Sequence, residues 1–122
     1  MRALIVDDSG FIRNYLHSLL EGHGLECVEA DNGRIALNII HKSAAFDLAL
    51  VDVNMPVMNG LEFVKELRTT LQQKEIKIVM VTTEADHAFI EAALEAGADE
   101  YLMKPFDEDS LMEKLQMISL VA

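Results

Sequence analysis

The chain has 122 residues, 51% of them hydrophobic and 25% charged, with a formal net charge of -11, the size and balance of one soluble domain spanning 1–122. No apolar stretch reaches the roughly 20 residues that span a bilayer, and the run Ala3 to Val6 is too short for a secretory leader, so a cytoplasmic protein with no membrane insertion is expected. The acidity opposes direct binding to a nucleic-acid backbone, and a single cysteine, Cys27, excludes an internal disulfide and is assigned no redox role.

In chain order, Ala3-Leu4-Ile5-Val6 is apolar throughout, as suits a strand covered on both faces. Phe11, Tyr15 and Leu19 with Ile12, Leu16 and Leu20 recur at helical spacing, and Gly24 suits the end of that helix. Leu25 to Ala30 is a weaker strand signal, fit for a sheet edge. Asn32 is a natural N-cap for a second helix carrying Ile35, Ala36, Ile39 and Ile40. Leu48-Ala49-Leu50-Val51 is the next wholly apolar run, and Asn59-Gly60 turns the chain into a third helix with Phe63, Val64, Leu67 and Leu71. Ile78-Val79-Met80-Val81 follows. Phe89, Ile90, Ala93 and Leu94 mark a fourth helix that stops at Gly97; Glu100 to Met103 is a second edge strand; Leu111, Met112, Leu115 and Ile118 mark a fifth helix. The aromatic and methionine positions of these stripes are assigned to the core. Five strands alternating with five helices predict a doubly wound α/β fold with a parallel sheet and right-handed crossovers. Sites in such sheets lie beyond the carboxyl ends of the strands, where the strand order reverses.

At those ends stand Asp7-Asp8, Asp52, Thr82-Thr83 and Lys104-Pro105. Three carboxylates brought together repel, and a hard divalent cation with oxygen ligands relieves this at least structural cost. Mg2+ fits, held by Asp7, Asp8 and Asp52 with the backbone carbonyl of Asn54. A carboxylate nucleophile attacking phosphorus needs charge neutralised on both sides. The metal and the Lys104 ammonium would do so, with the Thr82 hydroxyl donating to a phosphoryl oxygen. His17, His23, His41 and His87 show no ligand spacing and are read as surface or partly packed residues.

The segments Ile5-Val6-Asp7-Asp8, Val51-Asp52-Val53-Asn54-Met55-Pro56-Val57-Met58-Asn59-Gly60, Val79-Met80-Val81-Thr82 and Met103-Lys104-Pro105-Phe106, in this order and spacing, resemble the response-regulator receiver family of two-component signalling, and in particular its single-domain chemotaxis-type members. The resemblance implies a flavodoxin-like sheet of order 2-1-3-4-5. It implies that Asp52 accepts a phosphoryl group from a sensor histidine kinase or phosphotransfer protein, that Thr82 then moves toward that group, and that Tyr101 turns inward. The face made by the fourth helix, fifth strand and fifth helix would be reshaped to control binding of a downstream protein. It further implies a cis bond between Lys104 and Pro105, and that Asn54 and Glu84 face the line of water attack and set the phosphoryl lifetime.

The chain ends with the fifth helix, at Leu120-Val121-Ala122. A stand-alone regulator is therefore expected, a receiver piece of a larger response regulator being the alternative. Residues 86–96 contain no Lys or Arg, which disfavours the receiver pairing used by transcription-factor relatives. A phosphatase of the haloacid dehalogenase type would need a second acid at position 54, where Asn54 stands, and an electron carrier of flavodoxin type would not place Asp8 in its phosphate loop. A scaffold that has lost its site is disfavoured because every core position is present. The expectation is thus a phosphoacceptor signalling domain that catalyses only its own phosphorylation and dephosphorylation.

Overall fold

The computed structural model describes residues 1–43 and 45–120, with the side chains of Glu84 and His87 outside the described ones. Strands β1 (Arg2–Val6), β2 (Glu26–Ala30), β3 (Leu48–Asp52), β4 (Lys77–Thr82) and β5 (Glu100–Met103) alternate with helices α1 (Gly10–Gly22), α2 (Gly33–Lys42), α3 (Gly60–Thr69), α4 (Ile90–Ala96) and α5 (Glu108–Met117). All neighbouring strands are parallel, in the order β2-β1-β3-β4-β5. The expected flavodoxin-like topology is present, and the order reverses between β1 and β3.

The continuous apolar runs conceal an alternation that the two layers resolve. Leu4, Val6, Ala49, Val51, Ile78 and Met80 point to a core shared with Ala36, Phe63, Val64, Leu67, Ile90 and Ala93 of α2, α3 and α4. Their neighbours Ala3, Ile5, Leu48, Leu50, Val79 and Val81 point to a second core closed by Leu16 and Leu20 of α1 and Leu111 and Leu115 of α5. Each central strand is thereby dry on both faces, and burying side chains of this size stabilises by about 1.5–3 kcal/mol each.

The helix stripes are narrower than their sequence pattern suggests. Phe11 is 78% exposed and Phe89 51%, against their expected place in the core, and Ile35 and Leu94 of the stripes are 41% and 39% exposed. Only the central rows of a helix of this size meet the sheet, and the flanking rows fall outside the contact. The fourth helix keeps its expected place and stops at Gly97, but a tighter turn precedes it. Residues Glu84–Phe89 form a 3-10 helix, and the α-helical part is only Ile90–Ala96. The Asp86 N–H bonds the Thr83 carbonyl at 3.1 Å and the Thr83 hydroxyl donates to the Asp86 carboxylate at 3.1 Å. These short-range bonds favour the tighter turn over an α-helical start.

The helix starts follow the capping residues. Asn32 accepts the Ile35 N–H at 3.0 Å, and Asn59 and Glu62 form a reciprocal capping box at the head of α3. Ser9 and Asp107 cap α1 and α5. Gly24 and Gly97 take φ values of +86° and +124° just beyond α1 and α4, a region open to glycine.

Gly60 is fixed by contact: a Cβ there would lie 2.5 Å from the Asp52 carbonyl oxygen and 2.9 Å from Val53 Cα. Gly60→Ala is expected to cost about 2–3 kcal/mol in urea unfolding, since backbone on both sides must shift. Gly22→Ala, with nothing within 4 Å of the added methyl, is expected to be neutral to stabilising by a few tenths of a kcal/mol in the same measurement.

Candidate functional site

The last residues of β3 and β4 are Asp52 and Thr82, and Asp7 directly follows β1. The topology therefore delivers a carboxylate from each side of the reversal point, with Thr82 beside them. Asp7 is 1% exposed and Asp52 8%, while Asp8 lies in solvent. One carboxylate oxygen from each of Asp7, Asp8 and Asp52 lies within 4.8 Å of the others.

Lys104, one residue past β5, joins them. Its ammonium lies 3.2 Å from Asp7 Oδ2 and 3.5 Å from Asp52 Oδ1. Its main-chain N–H donates to the Thr82 carbonyl at 2.6 Å, and the Lys104-Pro105 bond is cis, as the sequence resemblance implied. Asp7 is held further by the Ser9 N–H at 2.9 Å, an Asx-type turn. The Arg13 guanidinium spans from the Asp7 carbonyl, at 2.6 Å, to Glu29 Oε1, at 3.1 Å.

Burial pushes the Asp52 carboxyl up to about 6; the Asp7 charge adds to the rise, while the Lys104 ammonium and the Asn54 main-chain N–H oppose it. Desolvation and a like charge both disfavour the ionised form, and one lysine offsets them only in part. Three hard oxygen donors with excess negative charge are the ligand set that a small divalent cation satisfies, so this cluster fits Mg2+ in its chemistry.

Asn54 stands beside Asp52 through that N–H. The Thr82 hydroxyl donates to the Thr83 carbonyl at 3.1 Å rather than to a carboxylate. Tyr101 is half-buried on β5. The Glu84 side chain lies outside the described residues. Ser9 and Arg13 escaped the sequence reading: the helix-capping serine after Asp8 was a readable signal, whereas Arg13 acts through a main-chain carbonyl that leaves no pattern. Cys27 is half-buried, and burial pushes its thiol up to about 11, which keeps it protonated and weakly reactive at neutral pH. No described helix is long and apolar enough to cross a membrane.

The family model described as the response regulator receiver domain matches residues 3–116. The chain belongs to this family. As a receiver it is similar to chemotaxis protein CheY1 of Helicobacter pylori, at 40% identity over 97% of this chain and 96% of that protein. It is also similar to the CheY homolog of Campylobacter jejuni, at 39% identity over 95% and 90%. Among solved structures, the chemotaxis response regulator CheY4 of Vibrio cholerae superposes with a TM-score of 0.87, at 41% identity over 96% of this chain and 97% of that one. A receiver from a response regulator/GGDEF domain protein superposes with a TM-score of 0.88 at 27% identity, with this chain covering 48% of that one. The chain is thus a receiver of the CheY type, a switch component of two-component signalling.

The raised Asp52 carboxyl gives a pH dependence. The folded protein holds this proton to higher pH than the unfolded chain does, so the group's contribution to stability is complete below about pH 4 and is lost as pH rises through about 6. Asp52→Asn is therefore expected to stabilise the metal-free protein by about 2 kcal/mol at pH 7.5 and to have little effect at pH 4. Urea unfolding in EDTA at the two pH values measures the difference.

Proposed function

We propose that Asp52 is the phosphoacceptor of this receiver, with Asp7, Asp8, Asp52 and the Asn54 carbonyl as the Mg2+ ligands, all within a domain occupying 1–122. The observation that carries this reading is the Lys104 ammonium shared between Asp7 and Asp52 at 3.2 and 3.5 Å inside a cluster of three converging carboxylates. An Asp52 carboxylate oxygen attacks the phosphorus of a phosphohistidine on a sensor kinase or phosphotransfer protein. The new P–O bond forms as the P–N bond breaks, and the imidazole leaves with the electron pair. Bound Mg2+ would supply positive charge to the phosphoryl oxygens on one side. Lys104 supplies it on the other, by trading its contact with Asp52 for one with the phosphoryl group.

The Thr82 hydroxyl then leaves the Thr83 carbonyl for a phosphoryl oxygen, and Tyr101 turns inward. These two movements reshape the face of α4, β5 and α5 on which a downstream protein binds. The phosphoryl group adds about -1.5 to -2 charges to the rim of the sheet, and its arrival is a signal rather than a step in turnover. Catalysis is limited to the domain's own phosphorylation and dephosphorylation, with Asn54 and Glu84 tuning the latter. The net charge of -11 favours protein partners in the cytoplasm over nucleic acid. Coverage of nearly the whole length of the CheY relatives supports a regulator of their type.

Incubation with acetyl phosphate and Mg2+ is expected to add one phosphoryl group by intact mass, and Asp52→Asn to add none. The absence of a mass increase in the folded wild type, with acetyl phosphate and with a phosphohistidine donor, sinks the reading. Asn54→Ala and Glu84→Ala are expected to become phosphorylated but to change the rate of phosphoryl loss several-fold. Equal decay in all three proteins contradicts their tuning role. Mg2+ is expected to raise the thermal midpoint at pH 7.5 and to lose that effect as pH falls below about 6, where the proton competes for Asp52.

A further inference from the structure

Lys114 belongs to α5, which closes the core on one face of the sheet, whereas Tyr101 packs against the core on the other face. The two meet at the edge strand β5. The Lys114 ammonium stands 4.7 Å from the centroid of the Tyr101 ring and 3.5 Å from Glu100 Oε1, with the Lys114 and Glu100 side chains 24% and 16% exposed. The same Glu100 oxygen accepts the main-chain N–H of Tyr101 at 2.9 Å. Glu100 therefore fixes the lysine over the ring of the residue next to it.

A cation over an aromatic face is attracted by the ring quadrupole, and more strongly as water is excluded. On the proposed inward turn the ring would leave the ammonium. Met80 is the β4 partner of Tyr101, and Thr82 is the partner of Met103 two residues along, so the contact sits one strand pair away from the Thr82 hydroxyl.

We propose that Lys114 is a positioning residue of the switch, its ammonium holding the Tyr101 ring at the β5 edge in the unphosphorylated protein and setting the threshold for the inward turn. This rests on the reading of Asp52 and Tyr101 given above. A partly exposed pair of this kind shifts a two-state equilibrium by about two- to fivefold. Removing the charge raises the inward population before any phosphoryl group arrives. An arginine at 114 preserves the outward bias, because a guanidinium serves the ring as well as an ammonium does.

The test is fluorine NMR of protein labelled with 3-fluorotyrosine in a Tyr15→Phe background, which leaves Tyr101 as the only labelled ring. Lys114→Met keeps the aliphatic stem and removes the charge; Lys114→Arg keeps the charge. In the unphosphorylated protein, Lys114→Met is expected to move the signal toward the position set by Mg2+ with beryllofluoride, changing the inward-to-outward ratio about two- to fivefold. Lys114→Arg is expected to stay with the parent. Coincident parent and Lys114→Met signals overturn the proposal, as does an equal shift in Lys114→Arg. Urea unfolding of the same samples reports whether each variant is folded, and Lys114→Gln is the second neutral variant if Lys114→Met is not. A parent signal that Mg2+ and beryllofluoride leave unmoved overturns the switch reading, and the proposal with it, even where Lys114→Met shifts the free-protein signal.

Discussion

The charge balance at the carboxyl ends of β1, β3 and β5 is the constraint to which the rest of the molecule answers. Asp7 and Asp52 are almost wholly out of water, with the Asp8 carboxylate beside them and one ammonium between them. Like charges at this spacing in a medium less polarisable than water repel by several kcal/mol, and Lys104 cancels only part of this, as the elevated Asp52 carboxyl shows. The protein thus holds its site short of positive charge. A cation or a proton is favoured there.

Holding such a site open demands rigid surroundings. Both faces of the three central strands are packed with apolar side chains, which fixes the directions in which Asp52 and Thr82 leave the sheet. The loop after β3 is tied to β4 by the Val53 N–H donating to the Val81 carbonyl at 3.1 Å and closed on itself by the Gly60 N–H donating to the Val53 carbonyl at 2.9 Å. It contains Val57 at φ +70°, an uncommon conformation for a β-branched residue that costs of order 1 kcal/mol. Arg13 ties the Asp7 main chain to β2 through Glu29. On the other side, among the described residues, the Thr82 and Thr83 hydroxyls bond to groups within the turn that follows β4, and the Lys114 ammonium stands over the Tyr101 ring at the edge strand.

Much of this could be read from the residues in order. The apolar runs of β1, β3 and β4 declared strands covered on both faces, and the acids placed directly after two of them marked the site, because a chain gains nothing by ending buried strands in charge without a use for it. The capping residues Asn32 and Asn59 located two helix starts within a residue. The limits of legibility were equally specific. Phe11, Ile35, Phe89 and Leu94 carry helical spacing yet stand in water, since periodicity shows that a helix has an apolar side without showing how wide its contact is. The 3-10 segment ahead of the fourth helix was not legible, because it depends on the short-range bond between Thr83 and Asp86.

The sequence by itself determined the fold class, the family and the chemical kinds gathered at the strand ends: acids, a hydroxyl and an ammonium in a fixed order. Local patterns suffice for these because strand and helix periods and turn residues are properties of neighbouring positions. Tertiary structure alone decided that Lys104 bridges Asp7 and Asp52, that Arg13 takes the Asp7 carbonyl, and that Lys114 crosses from one layer to the ring of Tyr101. Those contacts join residues 97, 52, 6 and 13 positions apart in the chain. Their distances follow from the packing of the sheet and its two layers, which no short stretch of sequence encodes.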